Sequence, residues 1–319
     1  MSLMITGTGS CAPSSSAGNV FFERLVDTTD EWITARTGIK NRHIISGETL
    51  SELATAAARR ALESAGTEAA ELDLIICATM QGDYIIPSMG CVVQREIGAT
   101  CPAFDLNAAC AGFLFALDVA DGLISSGKYN KILIVCSDQL SKFIDYSDRS
   151  TCVLFGDGAG AAVVERGDSL RYIRICSKGD ADLLSINSAR PKSPFFVEGK
   201  SQGYLAMSGQ DVFKFAVSAV VGSIKEACAA MGITPDDIDY FLLHQANGRI
   251  IDMAKSQLGQ PCEKFLTNLA EYGNTSAASI PLLLDEQRRK GTFKRGDMLA
   301  ISGFGGGLCW GTCLLKWAG

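Results

Sequence analysis

Apolar and polar positions along this chain fall into a two-part unit that occurs twice. In residues 53–65 apolar side chains recur at helical spacing and Gly66 follows, a pattern that predicts an amphipathic helix with a left-handed stop. Residues 72–79, Leu-Asp-Leu-Ile-Ile-Cys-Ala-Thr, have the length and apolar content of a buried strand. The unit returns as a predicted helix over 223–231, ended by Gly232, and a predicted strand over 238–244. Gly66 and Gly232, Asp73 and Asp239, and Ala61 and Ala227 are each 166 positions apart. The same offset sets Leu133 against Leu299, strand with strand. This is an internal repeat, and it predicts two similar β/α halves, residues 1–170 and 171–319. A further short strand is expected over 3–7, and a buried helix over 113–124.

Composition narrows the class. With 319 residues, 47% of them hydrophobic, the chain can bury a substantial core as two domains or one duplicated one. A net charge of −6 argues against non-specific nucleic-acid binding. No apolar run reaches membrane-spanning length, and no basic region precedes the first apolar residues, so a cytoplasmic location is expected. The 12 cysteines are scattered through apolar segments, which suits reduced, buried thiols. With only 2 histidines and no Cys-x-x-Cys pair, no metal site is expected.

One cysteine stands apart. Cys110 lies between small residues at the start of the 113–124 apolar run, where unpaired N–H groups and the helix dipole favour a thiolate. The repeat offset pairs it with Ser276 in Gly273-Asn274-Thr-Ser-Ala-Ala-Ser-Ile280. If a pseudo-twofold relates the halves, these helix starts face each other and Asn274 lies near Cys110. His244 ends its strand, the place where ligands gather in parallel α/β sheets. Taken singly, each residue reads more readily as structural. Their convergence points to a site.

Other motifs are weaker. Gly7-x-Gly9-x-x-Ala12 matches a dinucleotide fingerprint loosely, but Pro13 and three serines follow where a helix is required. Residues 155–164 hold a second loose match, better read as a tight turn before a strand. Trp32, Arg36, Lys40 and Arg42 form an aromatic and cationic cluster that by itself reads as a solvated basic loop. Residues 179–208 are the least regular, consistent with a loop or flap over a site.

Ala109-Cys110-Ala-Gly-Phe, His244-Gln-Ala-Asn247-Gly-Arg249, Gly273-Asn274-Thr-Ser and Ser302-Gly-Phe-Gly-Gly-Gly307 together resemble the β-ketoacyl-[acyl-carrier-protein] synthase III family, the initiating condensing enzymes of bacterial fatty-acid synthesis. The resemblance implies an α/β thiolase fold, with duplicated halves in a five-layered α-β-α-β-α core, and a homodimer. It implies that Cys110 takes an acyl group from acyl-CoA, and that malonyl-acyl-carrier protein then loses carbon dioxide and attacks the acyl-Cys110. His244 and Asn274 would hold the enolate oxygen, with the backbone N–H groups of Cys110 and Gly306 as oxyanion hole. The acyl-CoA would be a substrate, with no cofactor.

By the same resemblance, Trp32, Arg36, Thr37, Arg149, Phe213, Ala246 and Asn247 would contact CoA. Lys214, Gln245, Ala246, Asn247, Gly248, Arg249 and Lys255 would receive the acidic carrier protein. Phe304 and Ile86 would shape the acyl pocket, Ile86 reaching across the dimer into the partner's site. Family members often have Phe where this chain has Ile86, so acetyl preference is not carried over, and branched or longer primers are open. Other readings are a starter-loading enzyme of polyketide synthesis, a degradative thiolase with Cys309 as second cysteine, a cysteine hydrolase, and a non-catalytic acyl or CoA binding module.

Overall fold

The structure is a computed structural model that describes residues 2–190, 192–195, 198–201 and 203–319. A five-stranded sheet runs in the order Ser2–Cys11, Asp157–Gly167, Lys131–Gln139, Leu74–Ala78, Ala103–Leu106. A four-stranded sheet runs Leu170–Asp180, Gly307–Lys316, Met298–Gly305, Tyr240–Leu243. The second order repeats the first strand for strand, with the counterpart of Ala103–Leu106 reduced to a single parallel bridge at Phe265 beside Phe241. In each sheet the two strands nearest the repeated helix–strand unit are parallel, Leu74–Ala78 with Lys131–Gln139 and Tyr240–Leu243 with Met298–Gly305.

Helices Gly112–Ser125 and Ser279–Arg289 fill the space between the sheets. The first is apolar on almost every side, with Phe113, Leu114, Ala116, Leu117 and Ala120 all fully buried, as a central layer demands. Leu50–Ala65 and Met89–Ile97 cover the outer face of the first sheet, and Gly209–Met231 and Gly248–Leu258 that of the second. Five layers result.

Local chemistry explains the boundaries. Thr49 and Glu52 form a capping box at the start of Leu50–Ala65, and Gly66 ends it at φ 63°. Gly232 does the same at φ 67° for Gly209–Met231, a helix that begins well before residue 223. The first strand also runs further than expected, to Cys11. A Cβ on Gly9 would lie 2.3 Å from the Ala57 carbonyl oxygen. The Gly7-x-Gly9 motif is therefore a packing device that lets strand and helix backbones touch.

The repeat register shifts within the second half. Leu74 is beside Ile132, whereas Tyr240, its counterpart, is beside Leu299. One extra residue has entered the intervening segment, where loops absorb insertions. Leu133 therefore corresponds to Ala300, and the short 3₁₀ turn Ala109–Ala111 to Ser276–Ala278. The partner of Cys110 in the repeat is Ala277, which corrects the pairing with Ser276 by one residue.

In the irregular segment, Leu184–Ile186 and Leu205–Met207 pair as a small antiparallel ribbon. Pro191, Phe196, Val197 and Gln202 of the segment expected as a flap lie outside the described residues.

Candidate active site

A cavity of about 1100 Å³ opens where the two halves meet. Cys110, Asn274, Phe304 and Gly306 line its inner end. Trp32, Arg36, Thr37, Arg149, Phe213, Ala246, Asn247 and Arg249 line the rest, together with Leu184 and Met207 from the ribbon. The fold thus brings residues separated by most of the chain onto one surface.

Cys110 occupies the turn just before helix Gly112–Ser125. Burial pushes its thiol up to about 12, opposed by the hydrogen bond from Ser276 Oγ to Cys110 Sγ at 3.3 Å. The rise corresponds to roughly 4 kcal/mol against the thiolate. A helix terminus returns only about 0.3–1 kcal/mol. The sequence expectation of a thiolate favoured by the helix start is therefore overturned by desolvation, and the resting cysteine is a neutral thiol.

Gly305 passes so close that a Cβ on it would lie 2.6 Å from the Cys110 backbone nitrogen. This contact holds the Gly305–Gly306 backbone against the nucleophile, where a developing oxyanion would need N–H donors.

His244 follows strand Tyr240–Leu243, tethered by its N–H to the Ser302 carbonyl at 2.9 Å. It is 3% exposed, its ring 5.3 Å from that of the cavity-lining Phe304. Burial pushes its pKa down to about 3, so the imidazole is neutral at physiological pH. Ser279 Oγ accepts from the Gln245 N–H at 3.4 Å and lies 2.6 Å from His244 Nδ1. If the Ser279 hydroxyl donates to Nδ1, Nε2 carries the ring proton. Asn274 is fixed between halves, its N–H to the Leu154 carbonyl and its Oδ1 accepting from the Ser276 N–H at 2.9 Å. With Oδ1 taken up, the amide NH₂ is the group left to donate.

At the mouth, Arg149 stacks over Trp32 at 4.9 Å and Arg249 over Phe213 at 5.5 Å. Arg149 also donates to the Asp27 carbonyl at 2.8 Å. Thr37 is 4% exposed, with its hydroxyl donating to the Ile33 carbonyl and accepting from the Ile39 N–H, so it shapes the helix end beneath the mouth. Arg42 of the same cluster is fully buried, 2.5 Å from Asn19 Oδ1 and donating to the Val153 carbonyl. It braces the wall and is no phosphate ligand.

The remaining sequence assignments lie outside the cavity. Lys214 is exposed beside Asp211, and Lys255 is ion-paired with Asp252 at 3.0 Å. Gly248 opens helix Gly248–Leu258 behind its cap, Asn247. Gln245 is corrected outright. It is 0% exposed, and its amide is spent on the Leu243 carbonyl, the Thr267 hydroxyl and the Asn268 N–H, so it presents no docking surface. Ile86 is 85% exposed beside the exposed Tyr84 and Ile85, and does not line its own cavity.

Comparison with known proteins decides the family. Residues 104–180 match the model of 3-oxoacyl-[acyl-carrier-protein] synthase III, and residues 228–317 that of its C-terminal region. The β-ketoacyl-[acyl-carrier-protein] synthase III of Clostridium acetobutylicum is 47% identical over 99% of both chains. The chain belongs to the 3-oxoacyl-[acyl-carrier-protein] synthase III family. It has the thiolase fold of that family and is a condensing acyltransferase. The Aquifex aeolicus synthase III crystal structure superposes with a TM-score of 0.92 at 42% identity, over 99% of this chain and 100% of that one. The priming β-ketosynthase of the R1128 polyketide pathway is also similar, with 37% identity and a TM-score of 0.91 over 99% of this chain and 96% of that one.

Three groups at the site escaped the sequence reading: Ser276, Ser279 and Asp138. The serines lay inside the Gly273–Ile280 stretch already singled out, and their spacing from Asn274 was the available signal. Asp138 is next to last in strand Lys131–Gln139, 1% exposed, and accepts from the Ala277 N–H at 3.4 Å. Nothing in its neighbours marked it.

Proposed function

We propose that this enzyme starts fatty-acid chains by transferring a short or branched acyl group from acyl-CoA to Cys110 and condensing it with malonyl-acyl-carrier protein. The single observation that carries the reading is that Cys110 and Asn274 share one cavity with the two cation–aromatic pairs at its mouth. Trp32 and Arg149 suit the adenine and phosphates of CoA, and the cavity between them and Cys110 suits its pantetheine arm. A thioester on Cys110 keeps the acyl carbon reactive. The enolate oxygen formed on decarboxylation meets the Asn274 amide and His244 Nε2–H, donors that are in place before charge develops. Arg249 on the rim attracts the acidic carrier protein. The reaction takes the CoA thioester as substrate and needs no cofactor.

The reading includes a cytoplasmic homodimer. The exposed Tyr84-Ile85-Ile86 segment is apolar surface that a second copy would cover. All cysteines are free, as suits a reducing compartment. No helix among the described residues is long and apolar enough to cross a membrane.

A second reading, starter loading for polyketide synthesis, is favoured by the likeness to the R1128 priming enzyme. It shares the chemistry and differs in primer and carrier. Intact-protein mass spectrometry of wild type and Cys110→Ala with a panel of acyl-CoAs, followed by malonyl-acyl-carrier protein, tests both. Acyl mass on wild type alone, discharged as 3-ketoacyl-carrier protein forms, supports the condensing reading, and the preferred chain names the primer. Absence of labelling by every acyl-CoA rejects it.

A further inference from the structure

We propose that Ser279 is a positioning residue of the condensation step, its hydroxyl donating to His244 Nδ1 and so fixing the imidazole in the tautomer that offers Nε2–H to the enolate oxygen. The inference rests on the reading of His244 as a partner of that oxygen, and deepens it. A neutral imidazole has one N–H and one bare nitrogen. Only with the proton on Nε2 does the ring stabilise the enolate, because a bare Nε2 would turn a lone pair towards the growing negative charge.

The buried hydrogen bonds leave one arrangement. Ser279 opens helix Ser279–Arg289 and is 2% exposed. Two groups lie within reach of its Oγ, the Gln245 N–H at 3.4 Å and His244 Nδ1 at 2.6 Å. The backbone N–H can only donate, so it takes up an oxygen lone pair and leaves the hydroxyl proton in need of an acceptor. Among the described residues His244 Nδ1 is the acceptor in reach. Were Nδ1 protonated, it too would donate to Oγ, and a buried O–H would be left unpaired at the full cost of its desolvation. Burial also keeps the ring from taking a second proton, with its pKa pushed down to about 3.

The other ring nitrogen faces the chemistry. Among the described residues, the ring's hydrogen bonding is that of Nδ1, and the fully enclosed side-chain N and O atoms without a partner are Thr28 Oγ1, Thr55 Oγ1 and Ser137 Oγ. Nε2 is not one of them, so it shares in the 3% of His244 that solvent reaches. Phe304, whose ring is 5.3 Å from the imidazole, and Ala246 both line the cavity, and that solvent is the cavity's. The repeat separates chemistry from architecture. At the start of the first central helix the place of Ser279 is taken by Gly112, so the duplicated fold does not itself call for a hydroxyl there.

The step balances without proton transfer. The bond between the malonyl α-carbon and its carboxylate breaks, carbon dioxide leaves, and the electron pair moves into the enolate with its charge on oxygen. His244 gives that oxygen a hydrogen bond and keeps its proton, so the ring begins and ends neutral.

The test is the tautomer itself, read by magnetic resonance on protein carrying nitrogen-labelled histidine. The chain's 2 histidines give two sets of ring signals, which His43→Gln assigns. At neutral pH His244 is expected to show a protonated Nε2 and a bare Nδ1. In Ser279→Ala the ring should populate both forms, and Ser279→Thr, which keeps the hydroxyl, should restore the wild-type pattern. In single-turnover reactions Ser279→Ala should acylate Cys110 at the wild-type rate and condense roughly tenfold more slowly, short of the loss of about 10²–10³-fold for removing a donor outright. A packing defect alone would slow both steps and leave the tautomer unchanged. A protonated Nδ1 in wild type overturns the inference, as does an unchanged tautomer in Ser279→Ala. If the variants do not fold, the wild-type spectrum decides by itself. His244→Gln, run alongside, separates the two readings. Unimpaired condensation in that variant rejects the place of His244 at the enolate, whereas impaired condensation with Nδ1 protonated in wild type rejects only the part given to Ser279.

Discussion

Ala109 and Ser276 occupy equivalent places in the two halves and share a left-handed backbone, at φ 45° and 54°. That region costs an L residue roughly 1–2 kcal/mol. Here it bends the chain at each start of the two central helices, so that one turn presents Cys110 and the other brings Ser276 Oγ within 3.3 Å of its sulfur. The duplicated fold thus uses one strained turn twice, for two different jobs.

Gly305→Ala tests how tightly the glycine turn is held against the nucleophile. The added Cβ would sit 2.6 Å from a backbone nitrogen, which has no flexible end to move. Acylation of Cys110 is expected to slow by about 10²–10³-fold as the oxyanion donors are displaced. Single-turnover labelling with acyl-CoA measures it, and a near-wild-type rate would separate Gly305 from acylation.

At the cavity mouth, Trp32→Ala and Arg149→Ala should each raise KM for acyl-CoA several-fold with little change in kcat. Because the two side chains stack at 4.9 Å, their effects are coupled. A double-mutant cycle on KM is expected to give a coupling of about 0.5–1 kcal/mol. Strict additivity would mean that the stack has no part in CoA binding.

Gln245 and Arg249 should part company. Gln245→Ala strands the buried Asn268 N–H and is expected to lower stability by about 1–3 kcal/mol. Arg249→Glu should leave the denaturation midpoint nearly unchanged and raise KM for the carrier protein. Urea titration and steady-state kinetics on both variants check this, and a carrier-protein defect in Gln245→Ala without loss of stability would contradict the burial argument.

The depressed pKa of His244, about 3 against an ordinary 6.5, fixes the sign of one pH effect. The unfolded state binds the proton first, so this residue's contribution is complete above pH 6.5 and is lost as pH falls towards 3. Asp138 works the other way, since its raised pKa makes its contribution decline as pH rises from 3.8 to about 6. Comparing wild type with His244→Gln isolates the histidine. Wild type should lose about 2 kcal/mol more than the variant between about pH 7.5 and pH 5, read as the shift in urea midpoint. Equal losses would place a charged imidazole in the folded protein. The same substitution should slow condensation far more than acylation.

Much of the fold was legible because it is written in local pattern. The run at 72–79 has the apolar continuity of a strand covered on both faces, and Gly66 and Gly232 mark helix ends by the one conformation only glycine adopts freely. Cys110 and Asn274 were legible because each stands beside a glycine or small residue at the edge of such a pattern, and His244 because it ends an apolar strand. Gln245 was not, because a polar residue in a strand-end motif looks the same whether its amide faces solvent or closes a buried network. The one-residue slip of the repeat was equally hidden, since an insertion in a loop leaves both periodicities intact.

The sequence by itself determined two β/α halves, their central apolar helices, and the residue types able to form a thioester and stabilise an enolate. Tertiary structure alone decided their electrostatic state. Burial turned the expected thiolate into a neutral thiol and the histidine into a neutral side chain. Those properties depend on which atoms from distant segments exclude water around a charge, and spacing along one chain carries no record of that.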